Sequence, residues 1–246
     1  MTLLPSVLLG DWVARDLLDW LKPNKQPECL PEHEEDAFFV TPLEVLEARA
    51  LARGLGIVDY RDLDTWPRNK VYDWREFGYP GDKSRAHPYG TRDWNHTTAI
   101  WVHTTDTGPI GAHRFLGIPC HGGIAGDATI VLCHHPWRLV PHGHAANRFA
   151  IGIEISGRMS MTPEQRTSAR QLIEYYVAER TRNLDPQGPF TGPMAIGGHF
   201  MSFGGKPCPG EELFRDLVAW GVNELGLQRG PVVGTGRKPP EDWWRL

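Results

Sequence analysis

Two histidines close runs that read as regular structure, and a cysteine stands in a proline-framed loop after the second. His103 ends the apolar run "IWVHTT", His199 ends "MAIGGH", and Cys208 follows nine residues later between Pro207 and Pro209. A core cysteine gains nothing from so rigid a frame, and a disulfide cysteine would need a partner that is not nearby. A metal ligand or a nucleophile does gain, because each needs the sulfur held as a thiolate in one direction. Two histidines and a cysteine also suit zinc, whose catalytic sites keep three protein ligands and one open position. Lys206 stands two residues before the cysteine, so in an extended loop its ammonium can enter the same cleft. Glu154 interrupts the apolar run "IGIEIS", where a carboxylate needs a partner or a function. Alternation puts Ile151, Ile153 and Ile155 on one face of that run and Gly152, Glu154 and Ser156 on the other, a small polar face fit for a groove floor.

The elements that must carry these residues follow from periodicity. "TTAIWVHTT", "ATIVLCHH", "FAIGIEIS" and "MAIGGH" read as strands. Between the last two, "TPEQRTSARQLIEYYVAERTRN" reads as a helix, with Thr162 as N-cap, Pro163 in the first turn and Gln165 completing a capping box. "GEELFRDLVAWGVNEL" is a second helix with Leu213, Leu217, Trp220 and Val222 facing inward. Strand, strand, strand, helix, strand, helix predicts an α/β fold, a central mixed β-sheet flanked by helices. Ahead of it, residues 1–90 read as a mostly helical extension. One stripe runs through Leu3, Val7, Leu8, Val13, Leu17, Leu18 and Leu21, and a helix opens at Thr41 with Pro42 and a capping box to Glu44. Residues 61–96 are irregular and rich in aromatics, Pro and Gly. The predicted organisation is an extension over 1–90, a catalytic domain over 91–228 and a tail over 229–246, with Trp243 and Trp244 docked on the body.

Composition removes several classes. The chain has 246 residues and a net charge of −4, so it lacks the basic balance of a nucleic-acid binder. No run approaches the apolar length needed to span a membrane. The amino-terminal stretch carries Asp11, Arg15, Asp16 and Asp19 and lacks both a basic start and a small-residue cleavage site, which argues against an export signal. Cys29, Cys120, Cys133 and Cys208 form no CxxC pattern; Cys120 and Cys133 could pair if they sit on adjacent strands, but free, buried thiols are the expectation for a chain without an export signal.

Taken in order, "IWVHTT", "NRFAIGIEISG" and "HFMSFGGKPCPG" resemble the three signature blocks of zinc-dependent N-acetylmuramoyl-L-alanine amidases. This is the type-2 amidase and peptidoglycan-recognition-protein fold, which includes phage lysozyme-amidases, and the resemblance covers roughly residues 92–226. It implies Zn2+ held by His103, His199 and Cys208, with Glu154 as general base and Lys206 stabilising an oxyanion. It also implies Asn147 and His144 on the substrate side of the groove. The expected substrate is peptidoglycan or a muropeptide, cut at the amide between N-acetylmuramic acid and L-alanine. The setting would be a phage-type endolysin or an enzyme of muropeptide recycling. The family tyrosine is missing: "IPCHGG" offers Cys120 at its place and His121 beside it. His113, His134, His135 and His142 match no role.

Two other readings compete. A non-catalytic peptidoglycan-binding protein of the same fold is one, although such proteins typically lose the cysteine ligand. A thiol hydrolase using Cys208 with His199 or His103 as base is the other, and chelation separates it from a metal enzyme.

Overall fold

The computed structural model describes residues 41–61, 92 and 94–246. The first stripe and most of the irregular segment therefore lie outside the described residues. Helix α1 (Pro42–Ala52) opens as expected: Thr41 Oγ1 accepts from the Glu44 amide, and Glu44 reaches back to the Thr41 amide.

The centre is a seven-stranded mixed sheet. Its strands are β1 (Ile57–Asp59), β2 (Ala99–Thr104), β3 (Gly122–Ile124), β4 (Ile130–Leu132), β5 (Ala150–Ile155), β6 (Ala195–Gly198) and β7 (Gln228–Arg229). They lie in the order β1-β4-β3-β5-β2-β6-β7. Only β3 and β4 run antiparallel; the other pairs are parallel. Near-continuous apolar runs suit strands covered on both faces, and β2 is buried along its whole length.

Helix α2 (Pro163–Asn183) starts at the expected capping box, where Thr162 and Gln165 exchange bonds. It packs on β3 and β4, and α1 packs on it in turn. The carboxy-terminal helix α3 runs through Glu211–Leu213, a π-helical stretch Phe214–Ala219, and Trp220–Glu224. A π turn takes one extra residue and rotates the helical face. Phe214, Val218 and Ala219 are thereby buried beside the expected Leu213, Leu217 and Trp220, while Val222 is only partly buried.

The tail docks as its two tryptophans require. Trp244 is buried and meets Phe214 edge-on at 4.8 Å, and Trp243 packs against Phe200 and Phe214. Upstream of them the tail is stitched to the loop after β6: the Val233 amide donates to Met201 O, Gly204 to Thr235 O, and Arg237 to Phe200 O. Gly236 is forced by this approach, since a Cβ there would lie 1.9 Å from Met201 O. Among the described residues no helix is long and apolar enough to cross a membrane.

Candidate metal centre

In a parallel sheet, side chains at the carboxyl ends of neighbouring strands meet at one edge, which is where ligands bind in open α/β folds. Here β2, β5 and β6 are consecutive parallel neighbours. His103 stands in register with Glu154, and Gly198 with Val102, so His199 follows directly beside His103. The two imidazole centroids are 4.5 Å apart. Cys208 returns to the same edge: Phe200 donates to its carbonyl, and its Sγ accepts from the Thr104 amide at 3.2 Å. One donor atom from each of His103, His199 and Cys208 falls within 4.8 Å of the others.

These residues fit a metal. Nε2 of His199 is sealed from solvent and has no hydrogen-bond partner among the described residues. Such an atom costs free energy unless something occupies it. Burial depresses the basicity of the whole group, leaving neutral imidazoles able to ligate: His199 falls to about 4, and His103 drops well below its ordinary value. The Cys208 thiol is pushed up to about 12 by burial and by the nearby Glu154 carboxyl. A divalent cation reverses that preference, because a coordinating thiol is deprotonated outright.

A cavity of about 710 Å³ opens beside the triad, lined by Thr104, Asp106, His113, Arg114, Glu154, Met159, His199, Lys206 and Cys208. Glu154 Oε2 is sealed and unpartnered, while the residue as a whole stays partly open to the cavity. Burial raises its carboxyl to about 8, against the pull of Lys206. Lys206 itself is exposed and lines the same cavity.

The remaining expected residues lie elsewhere. His144 is partly buried beside the triad, stacked on Phe203 at 4.3 Å and on His199 at 5.9 Å, with a left-handed backbone (φ 50°). Asn147 is buried, and its Oδ1 accepts from the amides of His142 and Gly143, so it pins the loop ahead of β5. Neither lines the cavity.

The polar face of β5 is less open than alternation suggested. Gly152 is covered by the His142 ring, which a Cβ would meet at 2.3 Å, and Ser156 is buried with Oγ accepting from the Ile110 amide. Only Glu154 reaches the cavity from this face. Cys120 is fully buried against Phe115 and Cys133, its sulfur 3.6 Å from that of Cys133, and both are free thiols. His121 is also buried: Nδ1 accepts from the Gly152 amide and Nε2 donates to Arg138 O. No tyrosine is among the residues lining the cavity.

Three contributors escaped the sequence reading. The Thr104 amide holds the cysteine sulfur. His142 Nδ1 lies 3.0 Å from His103 Nε2. Arg92 is buried with its guanidinium on the carbonyls of Pro136, Asn147 and Ala150. The glycine at position 152 was the one legible trace, since a strand glycine marks close approach by another group.

A mixed sheet with a largely buried His-His-Cys cluster at the carboxyl edge of its parallel strands defines an α/β protein with a candidate metal centre. Residues 86–211 match the family described as N-acetylmuramoyl-L-alanine amidase, and the chain belongs to that family. Solved structures similar to it include an endolysin N-acetylmuramoyl-L-alanine amidase from Clostridium intestinale URNW, 22% identical over 50% of this chain and 83% of that one, TM-score 0.39. Drosophila peptidoglycan recognition protein LB is 18% identical over 54% of this chain and 84% of that one, TM-score 0.41. Bumblebee peptidoglycan recognition protein SA is 14% identical over 72% of this chain and 99% of that one, TM-score 0.45. Among curated proteins none matches significantly.

Proposed function

We propose that the chain is a zinc amidohydrolase that cuts the amide between the lactyl group of N-acetylmuramic acid and L-alanine. The observation that carries this reading is the convergence of His103, His199 and Cys208 on one point beside Glu154, in a chain of the amidase family. The triad would hold the zinc. Bound there, zinc supplies Lewis acidity, lowering the pKa of a water and polarising the scissile carbonyl.

The protein's own residues do the rest. Glu154 takes the proton of the attacking water and delivers it to the leaving alanine nitrogen. For that it must be ionised, and the rise that burial imposes on its carboxyl is opposed by Lys206 and would be opposed further by a dication. Lys206 lies on the cavity wall, and its role in this reading is to stabilise the developing oxyanion; removing one such donor typically costs about 100- to 1000-fold in rate. The Thr104 amide holds the cysteine sulfur in place. The substrate is a strand of peptidoglycan or a released muropeptide, consistent with an endolysin or a recycling enzyme.

Metal analysis together with a turbidity assay on purified walls tests the reading. The expected result is about one zinc per chain and activity that chelator abolishes and zinc restores. Activity that survives complete metal removal would make Cys208 a nucleophile. Tight wall binding by zinc-loaded protein with no turnover would make it a recognition protein.

A further inference from the structure

Resting on the zinc reading above, we propose that His142 is a positioning residue. It locks His103 in the tautomer protonated at Nε2 and leaves Nδ1 as the nitrogen that ligates.

The hydrogen bonds and one buried cation together select a single arrangement. His142 Nε2 lies 2.9 Å from Ala150 O. A carbonyl can only accept, so that nitrogen carries a proton. The same carbonyl accepts from the buried Arg92 guanidinium at 2.9 Å. An imidazolium there would be a second buried cation beside the first, so His142 is neutral, and its lone pair is at Nδ1. That Nδ1 is 3.0 Å from His103 Nε2, which must therefore be the donor. A neutral His103 donating from Nε2 has its lone pair at Nδ1. The direction of the whole chain, from His103 to His142 to the carbonyl, is set by one backbone oxygen.

His142 is itself held from several sides. Its amide and that of Gly143 both donate to Asn147 Oδ1, at 3.0 and 2.6 Å. Its ring lies over Gly152, where a side chain would collide with it. Arg92 bonds Asn147 O as well as Ala150 O, tying the loop to the strand. This is how outer partners of ligating histidines work: they fix ring orientation and tautomer, and their loss typically weakens metal binding about 10- to 100-fold.

Two measurements test it. Long-range proton–nitrogen NMR on the metal-free protein reads the tautomer of His103 directly. Competition with a chromogenic chelator reads zinc affinity for the wild type, His142→Phe and His142→Asn. We expect His103 protonated at Nε2 in the wild type. His142→Phe should bind zinc about 10- to 100-fold more weakly and lose the single tautomer. His142→Asn, whose Oδ1 stands near the place of the lost Nδ1, should recover most of that affinity. A wild-type His103 protonated at Nδ1 overturns the inference, and so does a folded His142→Phe that binds zinc like the wild type. Should His142→Phe fail to fold, the wild-type spectrum decides alone. If the wild type binds no zinc, the zinc reading fails, whereas the tautomer assignment stands or falls on the NMR.

Discussion

Replacing Glu154 by glutamine should make the metal-free protein more stable at alkaline pH while removing its activity. The carboxyl is ordinarily near 4.5 and rises to about 8 in the fold, chiefly through burial. A group whose folded value lies above its unfolded one favours folding most at low pH. That advantage is fully present below about 4.5 and is lost as pH rises to about 8. Without screening, the difference would penalise the folded state above pH 8 by about 5 kcal/mol relative to acid. Glu154 is partly open to the cavity, so water screens part of this, and about 1–3 kcal/mol is the realistic size. Glutamine keeps the shape and cannot ionise. At pH 8.5 the metal-free Glu154→Gln protein should therefore melt about 2–12 °C above the wild type, given about 2–4 °C per kcal/mol for a chain of this length. At pH 4.5 the two should coincide. Thermal melts of chelator-stripped proteins at both values, followed by circular dichroism, read the effect. The depressed histidines titrate in both proteins and cancel in the comparison. Wall hydrolysis by the zinc-loaded variant should drop about 100- to 10,000-fold. Equal melting temperatures at pH 8.5, or a less stable variant, would show that the fold does not strain this carboxylate. Retained activity would make Glu154 structural.

Other expectations follow from the same geometry. Cys208→Ser should lose most bound zinc in a chelator competition without losing the fold, because the serine hydroxyl is a poor replacement for a thiolate. Gly152→Ala places a methyl 2.3 Å from the His142 ring; it should destabilise by about 1–3 kcal/mol in denaturant melts and also weaken zinc binding. Trp244→Ala should cost about 3 kcal/mol by the same melts, since its ring is buried against Phe214. A smaller loss, under half of that, would mean the tail contributes little to the fold.

Much of the frame was legible because local signals agreed with the global fold. Capping boxes at Thr41 and Thr162 fixed two helix starts to the residue. β2, β4, β5 and β6 announced themselves as apolar runs. β3 did not: its Gly122 and Gly123 lack any strand propensity, and they are there because Tyr176 and the Phe115 ring press against them. β1 and β7 are too short to carry a period. In the site, His103, His199, Glu154 and Cys208 stood out because strand ends and a proline-framed loop are visible in sequence. The partners that hold them were not. The Thr104 amide is a backbone group, and Arg92 acts on three carbonyls. His142 lies 39 residues from the histidine it touches, joined only by the sheet. Asn147 was expected on the groove through family resemblance, and its capping of the loop amides depends on a turn that spacing alone does not reveal.

The most direct test of the amidase reading is mass spectrometry of the material released from purified sacculi by the zinc-loaded protein. The account predicts free stem peptides beginning with L-alanine and intact glycan strands, none of it after chelation. New reducing sugar ends, or peptides cut within the stem while the muramic acid–alanine amide survives, would contradict it.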